Sequence, residues 1–397
     1  MGFFRKKGSS AKDEPKATAS PPATSSPATD SGPAGTEERI REALKAVQDP
    51  DLHKDIVTLG FVKAIEVLDK EARVVIELTT PACPVKDQLK AQAEQVIMAV
   101  AGIEKATVTM TAQTVAAARG GKEDATKEAL AGVRNIIAVA SGKGGVGKST
   151  TTVNLAFALA RQGARVGLMD ADIYGPSIPL MTGVGKPTEV DGKMVIPPQV
   201  DGIKIISVAM FMEEGKASIL RGPMTAQIIQ QFLTQIKWGD LDYLLIDYPP
   251  GTGDIQLTLS QMCPVSGAVI VTTPQEVSLI DVRKAVNMFG TMKVPVLGVI
   301  ENMSYFICDG CEKKHHIFRE GGGRRVAAEN GLPVLGEIPL EPAIAKAGDE
   351  GHVIGGESVG TGVHTAWTEA AGKVASQVSI LNMNEAGAAD FSLEWKD

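Results

Sequence analysis

Residues Gly142 to Ser149, reading Gly-Lys-Gly-Gly-Val-Gly-Lys-Ser, constrain this chain more than any other stretch. They satisfy G-x-x-x-x-G-K-[ST]. The short apolar run Asn135–Ala140 leads in, and Thr151, Val153, Leu155, Ala156, Leu159 and Ala160 leave at helical spacing. The order is therefore strand, glycine loop, helix. Gly142, Gly144, Gly145 and Gly147 let the loop bring backbone N–H groups against phosphate oxygens, with the positive end of a helix behind them. Lys148 is placed to reach the β- and γ-phosphates of ATP and Ser149 to ligate Mg2+. Lys143, Val146 and Thr150 complete the candidate nucleotide-binding stretch. Lys143 is a second lysine that the pattern does not require. It touches phosphate only if the loop turns it inward or toward a second chain, and is otherwise a solvated surface side chain.

From Asn135 onward short apolar runs alternate with helical stripes, which predicts an α/β fold with a parallel sheet covered on both faces. Ala164–Met169 reads as a buried strand ending in Asp170-Ala171-Asp172, and Tyr243–Ile246 as a strand delivering Asp247. An apolar strand that ends in one aspartate suits magnesium, so Asp247 joins Ser149 as a candidate ligand. Pro249-Pro250-Gly251-Thr252-Gly253 follows as a rigid turn and then flexible glycines, the composition of a loop that senses a γ-phosphate. Further strands are expected at Gly267–Pro274, Val296–Asn302 and Val334–Pro339, with a helix around Asp281–Met292. Asn302 lies just past a strand end, where an amide can pair with the N6/N7 edge of adenine or serve as an ordinary cap.

The 397 residues allow two domains, and a formal charge of −7 argues against coating nucleic acid. No apolar run reaches the ~18 residues of a membrane span. The start, Met1-Gly2-Phe3-Phe4-Arg5-Lys6-Lys7, lacks a secretory apolar core and misses the myristoylation pattern at position 6. With only Cys83, Cys263, Cys308 and Cys311, reduced thiols and a cytoplasmic location are expected.

Residues 1–35, rich in Ala, Pro, Ser, Thr and Lys, read as a disordered tail. A transit peptide is the alternative, against which Asp13, Glu14 and Asp30 count. Residues 36–111 read as a small α+β domain: a stripe at Ile40, Leu44 and Val47, a strand at Val74–Leu78, and a helix through Val85, Leu89, Ala93, Val96, Ile97 and Val100. With Pro84 at the first helical position, Cys83 falls at the cap, where a helix dipole lowers a thiol's pKa. Cys83 is then a reactive or metal-holding thiol, or else a small buried side chain. Residues 112–133 read as a linker or loose helix, 134–384 as the nucleotide-binding domain, and 385–397 as a short acidic tail.

Cys308-Asp309-Gly310-Cys311 interrupts the domain directly after a strand. Two thiols at this spacing can share a metal or cluster. One chain offers two sulfurs where a cubane cluster takes four, and a two-fold dimer would supply Cys308 and Cys311 twice. Zinc held by Cys308, Cys311, His315 and His316, a redox dithiol, and a plain loop are the other readings.

Lys143 within its loop resembles the signature-lysine ATPases, the group of the nitrogenase iron protein, MinD and the Mrp/ApbC scaffolds. That resemblance implies a dimer in which Lys143 crosses to the partner's nucleotide, and a first switch at Asp170–Ser177 in which Asp172 orients or deprotonates the attacking water. Without the resemblance, Asp170 and Asp172 would read as exposed acids at a turn. Asp49-Pro50-Asp51-Leu52, Asp55-Ile56-Val57 and Leu59-Gly60-Phe61-Val62, followed by Thr80-Pro81-Ala82-Cys83-Pro84, resemble a small domain fused to, or acting beside, iron–sulfur assembly proteins. Gly142–Thr150, Asp170–Ser177, Asp247–Asp254, Glu301–Phe306 and the Cys308/Cys311 pair followed by His315–Gly323 together resemble the Mrp/ApbC iron–sulfur carrier ATPases over residues 130–380. The resemblance implies a homodimer that binds a labile [4Fe-4S] cluster between protomers. It also implies passage of the cluster to apo-proteins alongside cluster-assembly factors, with ATP hydrolysis, and no nucleic-acid or membrane partner. The lack of an N-terminal four-cysteine motif and of a long C-terminal extension favours a bacterial, cytoplasmic member. The competing expectations are a MinD/ParA-like positioning ATPase, for which Ala389–Asp397 supplies neither an amphipathic anchor nor a basic face, and a zinc-stabilised nucleotide switch.

Overall fold

The computed structural model describes residues 33–117, 129–211, 222–353 and 361–389. The expected N-terminal tail lies almost wholly outside the described residues, as do 118–128 of the expected linker and 390–397 of the C-terminal tail.

The small unit is helix α1 (Pro33–Leu44), strands β1 (Val62–Leu68) and β2 (Glu71–Leu78), helix α2 (Lys86–Met98) and strand β3 (Lys105–Ala112). β2 pairs antiparallel with β1 and parallel with β3. Along β2 the alternate side chains Ala72, Val74, Ile76 and Leu78 are buried, so one sheet face carries a core and the other faces outward. Ile40, Leu44, Leu89, Ala93 and Ile97 close that core from the two helices. β1 and β3 are half-exposed and mix polar with apolar residues, and for that reason were not legible as strands.

The larger unit is organised around β4 (Val133–Ser141), which leads into the glycine loop and α3 (Lys148–Arg161). Then come β5 (Val166–Asp170), α4 (Ile178–Thr182), β6 (Ile203–Ser207), α5 (Gly222–Thr234), β7 (Leu241–Asp247), α6 (Asp254–Met262), β8 (Gly267–Thr272) and α7 (Glu276–Thr291). The unit ends with β9 (Val296–Ile307), β10 (Lys314–His315), α8 (Gly322–Glu329), β11 (Val334–Pro339), α9 (Pro342–Asp349) and α10 (Thr361–Ala389). The parallel strands lie in the order β6-β5-β7-β4-β8-β9-β11, with short antiparallel additions at Gln199–Val200 and β10. Every residue of β5, β7 and β8 is buried, as expected of strands covered on both faces. Because these strands are parallel, their last residues share one edge of the sheet, where nucleotides bind in open α/β folds.

Two expectations change. The strand expected to stop near Asn302 runs on to Ile307, because Met303 takes φ of 54° and the register with β11 shifts there, after which β10 pairs with Phe306 and Ile307. The start of the expected linker is docked: Gln113 and Val115 N–H donate to the Leu78 and Thr79 carbonyls, and the Val115 carbonyl accepts from Asn135 and Asn382, both at 2.9 Å. Buried amide donors with no water to satisfy them make this segment part of the scaffold.

Candidate functional site

The glycine loop folds as the motif requires. Gly147 takes φ of 80°, and a Cβ there would lie 2.2 Å from Asn302 Nδ2. Only glycine lets the last turn of the loop swing into α3 while Asn302 props it from behind. Asn302 is buried, and its Nδ2 donates to the Val146 carbonyl at 3.0 Å. One of the two Nδ2 hydrogens thus positions the loop and leaves the second, with Oδ1, outside that bond, so the expected pairing with the N6/N7 edge of adenine remains a proposal.

At the mouth of the loop Lys148 is 6% exposed, with Nζ 2.8 Å from Asp247 Oδ2 and 3.5 Å from Asp172 Oδ2. Asp247, fully buried, also accepts from Ser149 Oγ at 2.6 Å and from Thr152 Oγ1 at 2.7 Å. The Ser149 hydroxyl and Asp247 carboxylate are hard oxygen donors side by side, a pairing that fits a divalent cation such as magnesium. Lys143, Gly144, Lys148, Ser149, Thr150 and Asp172 line a cavity of ≈ 440 Å³. Gly142 sits at the base of the loop, and Gly145 and Gly147 face the same cavity. The structure thus gathers Lys143, Gly144, Gly145, Gly147, Lys148, Ser149 and Thr150 with Asp172 on one cavity, with Asp247 bonded to Lys148 and Ser149, while Val146 is buried and Gly142 packs against Asp281.

Neither acid of the first switch is exposed, contrary to the reading made without the family resemblance. Asp172 is buried and accepts from Gly175 N–H at 3.3 Å, while Asp170 has no exposed surface at all. Asp170 accepts from Asp172 N–H, Ile178 N–H and, at 2.9 Å, Ser207 Oγ. Burial, followed by the charge of Asp247, pushes the Asp170 carboxyl far above the ordinary carboxylate range. Ser207, Asp170 and Asp247 form one rung across three neighbouring strands. Sequence reading missed Ser207 and Thr152, because a lone hydroxyl at a strand end or in a first helical turn carries no pattern.

On the same sheet edge, β9 and β10 form a hairpin whose tip holds Cys308 and Cys311. Cys308 is half-buried and Cys311 exposed. Gly310 and Cys311 N–H groups, then the Cys311 thiol, hold the Cys308 thiol below its ordinary pKa, which favours the thiolate that binds soft metal. The hairpin base is fixed by buried Glu301, which accepts from Ser304 Oγ at 2.6 Å and from Gly323 N–H. His316 meets the Ser304 carbonyl at 3.2 Å and His315 lies exposed on β10. Among the described residues no three His, Cys, Asp or Glu side chains converge as a metal site, so a four-ligand zinc site within one chain is not formed.

Cys83 corrects another expectation. α2 begins at Lys86 with Val85 as its cap, so the thiol sits outside the helix's positive end. Burial pushes it up to about 11, the reverse of the dipole effect.

Comparison with known proteins follows this geometry. A family model described as "NUBPL iron-transfer P-loop NTPase" matches residues 132–376, and one described as "Iron-sulfur cluster assembly protein" matches residues 37–110. The chain belongs to the iron-transfer P-loop NTPases. Among similar relatives, an iron-sulfur cluster carrier protein of Deinococcus radiodurans is 46% identical over 79% of this chain and 87% of its own. Another carrier protein, from Synechocystis, is 43% identical over 87% of this chain and 98% of its own. A solved nucleotide-binding protein of Archaeoglobus fulgidus, in complex with ADP, is 41% identical with a TM-score of 0.51, covering 58% of this chain and 91% of that one. For the iron-transfer NTPase described here, the loop and the small unit's fold thus match the two family models on the residues that the resemblance had singled out.

Two outcomes follow. Gly147→Ala should weaken ADP binding at least ~10-fold, about 1.4 kcal/mol, since the methyl displaces Asn302; isothermal titration would measure it. Ser207→Ala should lower unfolding stability by about 1–3 kcal/mol in urea titrations, because buried Asp170 loses its hydroxyl donor, whereas Ser207→Thr should retain most of it.

Proposed function

We propose that this chain is an ATP-hydrolysing iron–sulfur cluster carrier that works as a cytoplasmic homodimer, holding a [4Fe-4S] cluster between protomers and passing it to apo-proteins. The observation that carries the reading is the shared edge: the phosphate loop, Asp172, Asp247 and the Cys308/Cys311 hairpin all project from the same ends of one parallel sheet. The names of the carrier relatives support the cargo.

ATP would lie in the loop cavity with its phosphates against the backbone N–H groups of Gly144–Thr150. Ser149 and Asp247 would hold magnesium, which neutralises phosphate charge when bound. Lys148, now shared by Asp247 and Asp172, would turn to the β- and γ-phosphates, which frees Asp172 to orient the attacking water. Lys143 would reach the nucleotide of the facing protomer. The cluster is cargo: Cys308 and Cys311 supply two thiolates, and the two-fold mate supplies the other two.

Exposed apolar side chains on this edge support the dimer. Tyr174 and Leu180 after β5, Val277 and Ile280 at the start of α7, and Ile307 and Ile317 beside the thiols are each 47–67% exposed. Large apolar groups gathered on one face mark an interaction surface. Among the described residues no helix is long and apolar enough to cross a membrane.

Anaerobic reconstitution of the full chain should yield about one four-iron cluster per dimer. Cys308→Ala or Cys311→Ala should abolish both cluster retention and transfer to an apo-ferredoxin; undiminished transfer by either variant would reject the ligand assignment. Lys148→Ala should lower ATP hydrolysis at least ~100-fold while leaving iron retention intact, and normal hydrolysis by that variant would reject the nucleotide reading.

A further inference from the structure

The nucleotide cavity has one wall that neither the glycine loop nor its acids supply. Pro250, in the turn after β7, lines it beside Lys148, Ser149 and Asp172, the residues that would meet magnesium and the γ-phosphate. Pro249 and Pro250 have no backbone N–H, so neither can anchor the turn by donating. Gly251 takes φ of 94°, and its N–H donates to the Ser141 carbonyl at 3.0 Å, which ties the turn to the base of the phosphate loop. The two proline carbonyls remain, and Gln256 takes both. Its Nε2 donates to the Pro249 carbonyl at 3.3 Å and to the Pro250 carbonyl at 2.6 Å.

Gln256 is 4% exposed and is the third residue of α6, which Gly253 caps. A glutamine at this place ordinarily bends back to the N–H of the cap residue itself. Gln256 reaches past the cap and directs both amide hydrogens onto the turn. Its own backbone is fixed as well, because the Gln256 carbonyl accepts from Ser260 Oγ at 2.9 Å.

We propose that Gln256 is a positioning residue for triphosphate recognition. By holding both proline carbonyls toward α6, it keeps their negative ends away from the place of the γ-phosphate. A carbonyl oxygen turned into the cavity would repel the oxygens of a γ-phosphate, and the β-phosphate, seated deeper in the glycine loop, would feel it less. Loss of the amide therefore weakens a triphosphate more than a diphosphate. This inference rests on the nucleotide reading of the cavity, which does not itself involve Gln256.

Isothermal titration of the full chain with Mg-ADP and with the non-hydrolysable Mg-AMP-PNP tests it. Gln256→Met keeps the length and helix propensity of the side chain and removes both donors. It should bind AMP-PNP at least ~10-fold more weakly than wild type and ADP within about 3-fold of wild type. Gln256→Glu should widen that gap, since a carboxylate repels the two carbonyls that the amide holds. A role confined to general packing of the cavity would weaken both nucleotides alike in the Met variant, and that result would overturn the proposal, as would two unchanged affinities. If urea titration shows the Met variant unfolded, Gln256→Ala, which admits water to the carbonyls, decides by the same comparison. Wild-type protein that binds neither nucleotide would overturn the nucleotide reading and this inference with it.

Discussion

The structure turns on one buried cation. Lys148 lies among Asp247, Asp172 and, one strand farther, Asp170, each nearly or wholly removed from solvent. With Asp170 pushed by burial toward its neutral form, the one ammonium faces two carboxylates, and taking charges out of water is costly unless every oxygen finds a donor. The surrounding hydroxyls and amides supply those donors: Ser149 and Thr152 to Asp247, Ser207 and Ile178 to Asp170, Gly175 to Asp172. This arrangement explains why strands, loop and first switch must end at the same level. It also leaves an excess of negative charge that a divalent cation is suited to balance.

What was legible in the sequence, and what was not, follows from how local the cause is. The loop, α3, β5, β7 and β8 announce themselves because burial on both faces demands unbroken apolar runs, and because the loop pattern needs fixed residues at fixed spacing. Ser207 was invisible because its partner Asp170 is 37 positions away and one hydroxyl makes no pattern. For Asn302 the place past a strand end was readable, while the approach of Gly147 from 155 residues upstream was not. Cys83 failed for a related reason. The proline after it suggested a helix start, but the chain uses two further residues before α2 begins, and burial against the small unit's own core raises the thiol's pKa.

The sheet has two working edges with different tasks. At the carboxyl ends of the strands lie the phosphate loop and the thiol hairpin; toward the opposite end Tyr243, four residues before Asp247 in β7, receives Thr80 of the small unit. Helix α3 joins the two, with Lys148 at its first turn and Gly163 against Pro81 just beyond its last. Fourteen residues of helix span about 21 Å, and among the described residues no three Cys, His, Asp or Glu side chains converge as a metal site, Cys83 with the hairpin thiols included.

That separation narrows how a cluster can be completed. A single chain places two sulfurs at an exposed tip, and the nearby histidines are otherwise disposed: His316 is held to the Ser304 carbonyl, and His315 projects from β10. With Cys263 buried at the end of α6 and no third ligand converging on the hairpin among the described residues, the remaining ligands of the proposed cluster would come from outside the chain. A second copy is the economical source, because the same edge that carries the thiols also carries the unburied Tyr174, Leu180, Val277, Ile280, Ile307 and Ile317. In the proposed dimer, burying those side chains against their symmetry mates would supply the association energy and would set two hairpins and two phosphate loops across one axis. A cluster held there would share its interface with both nucleotides, so any change in how the protomers meet would be felt by the cargo.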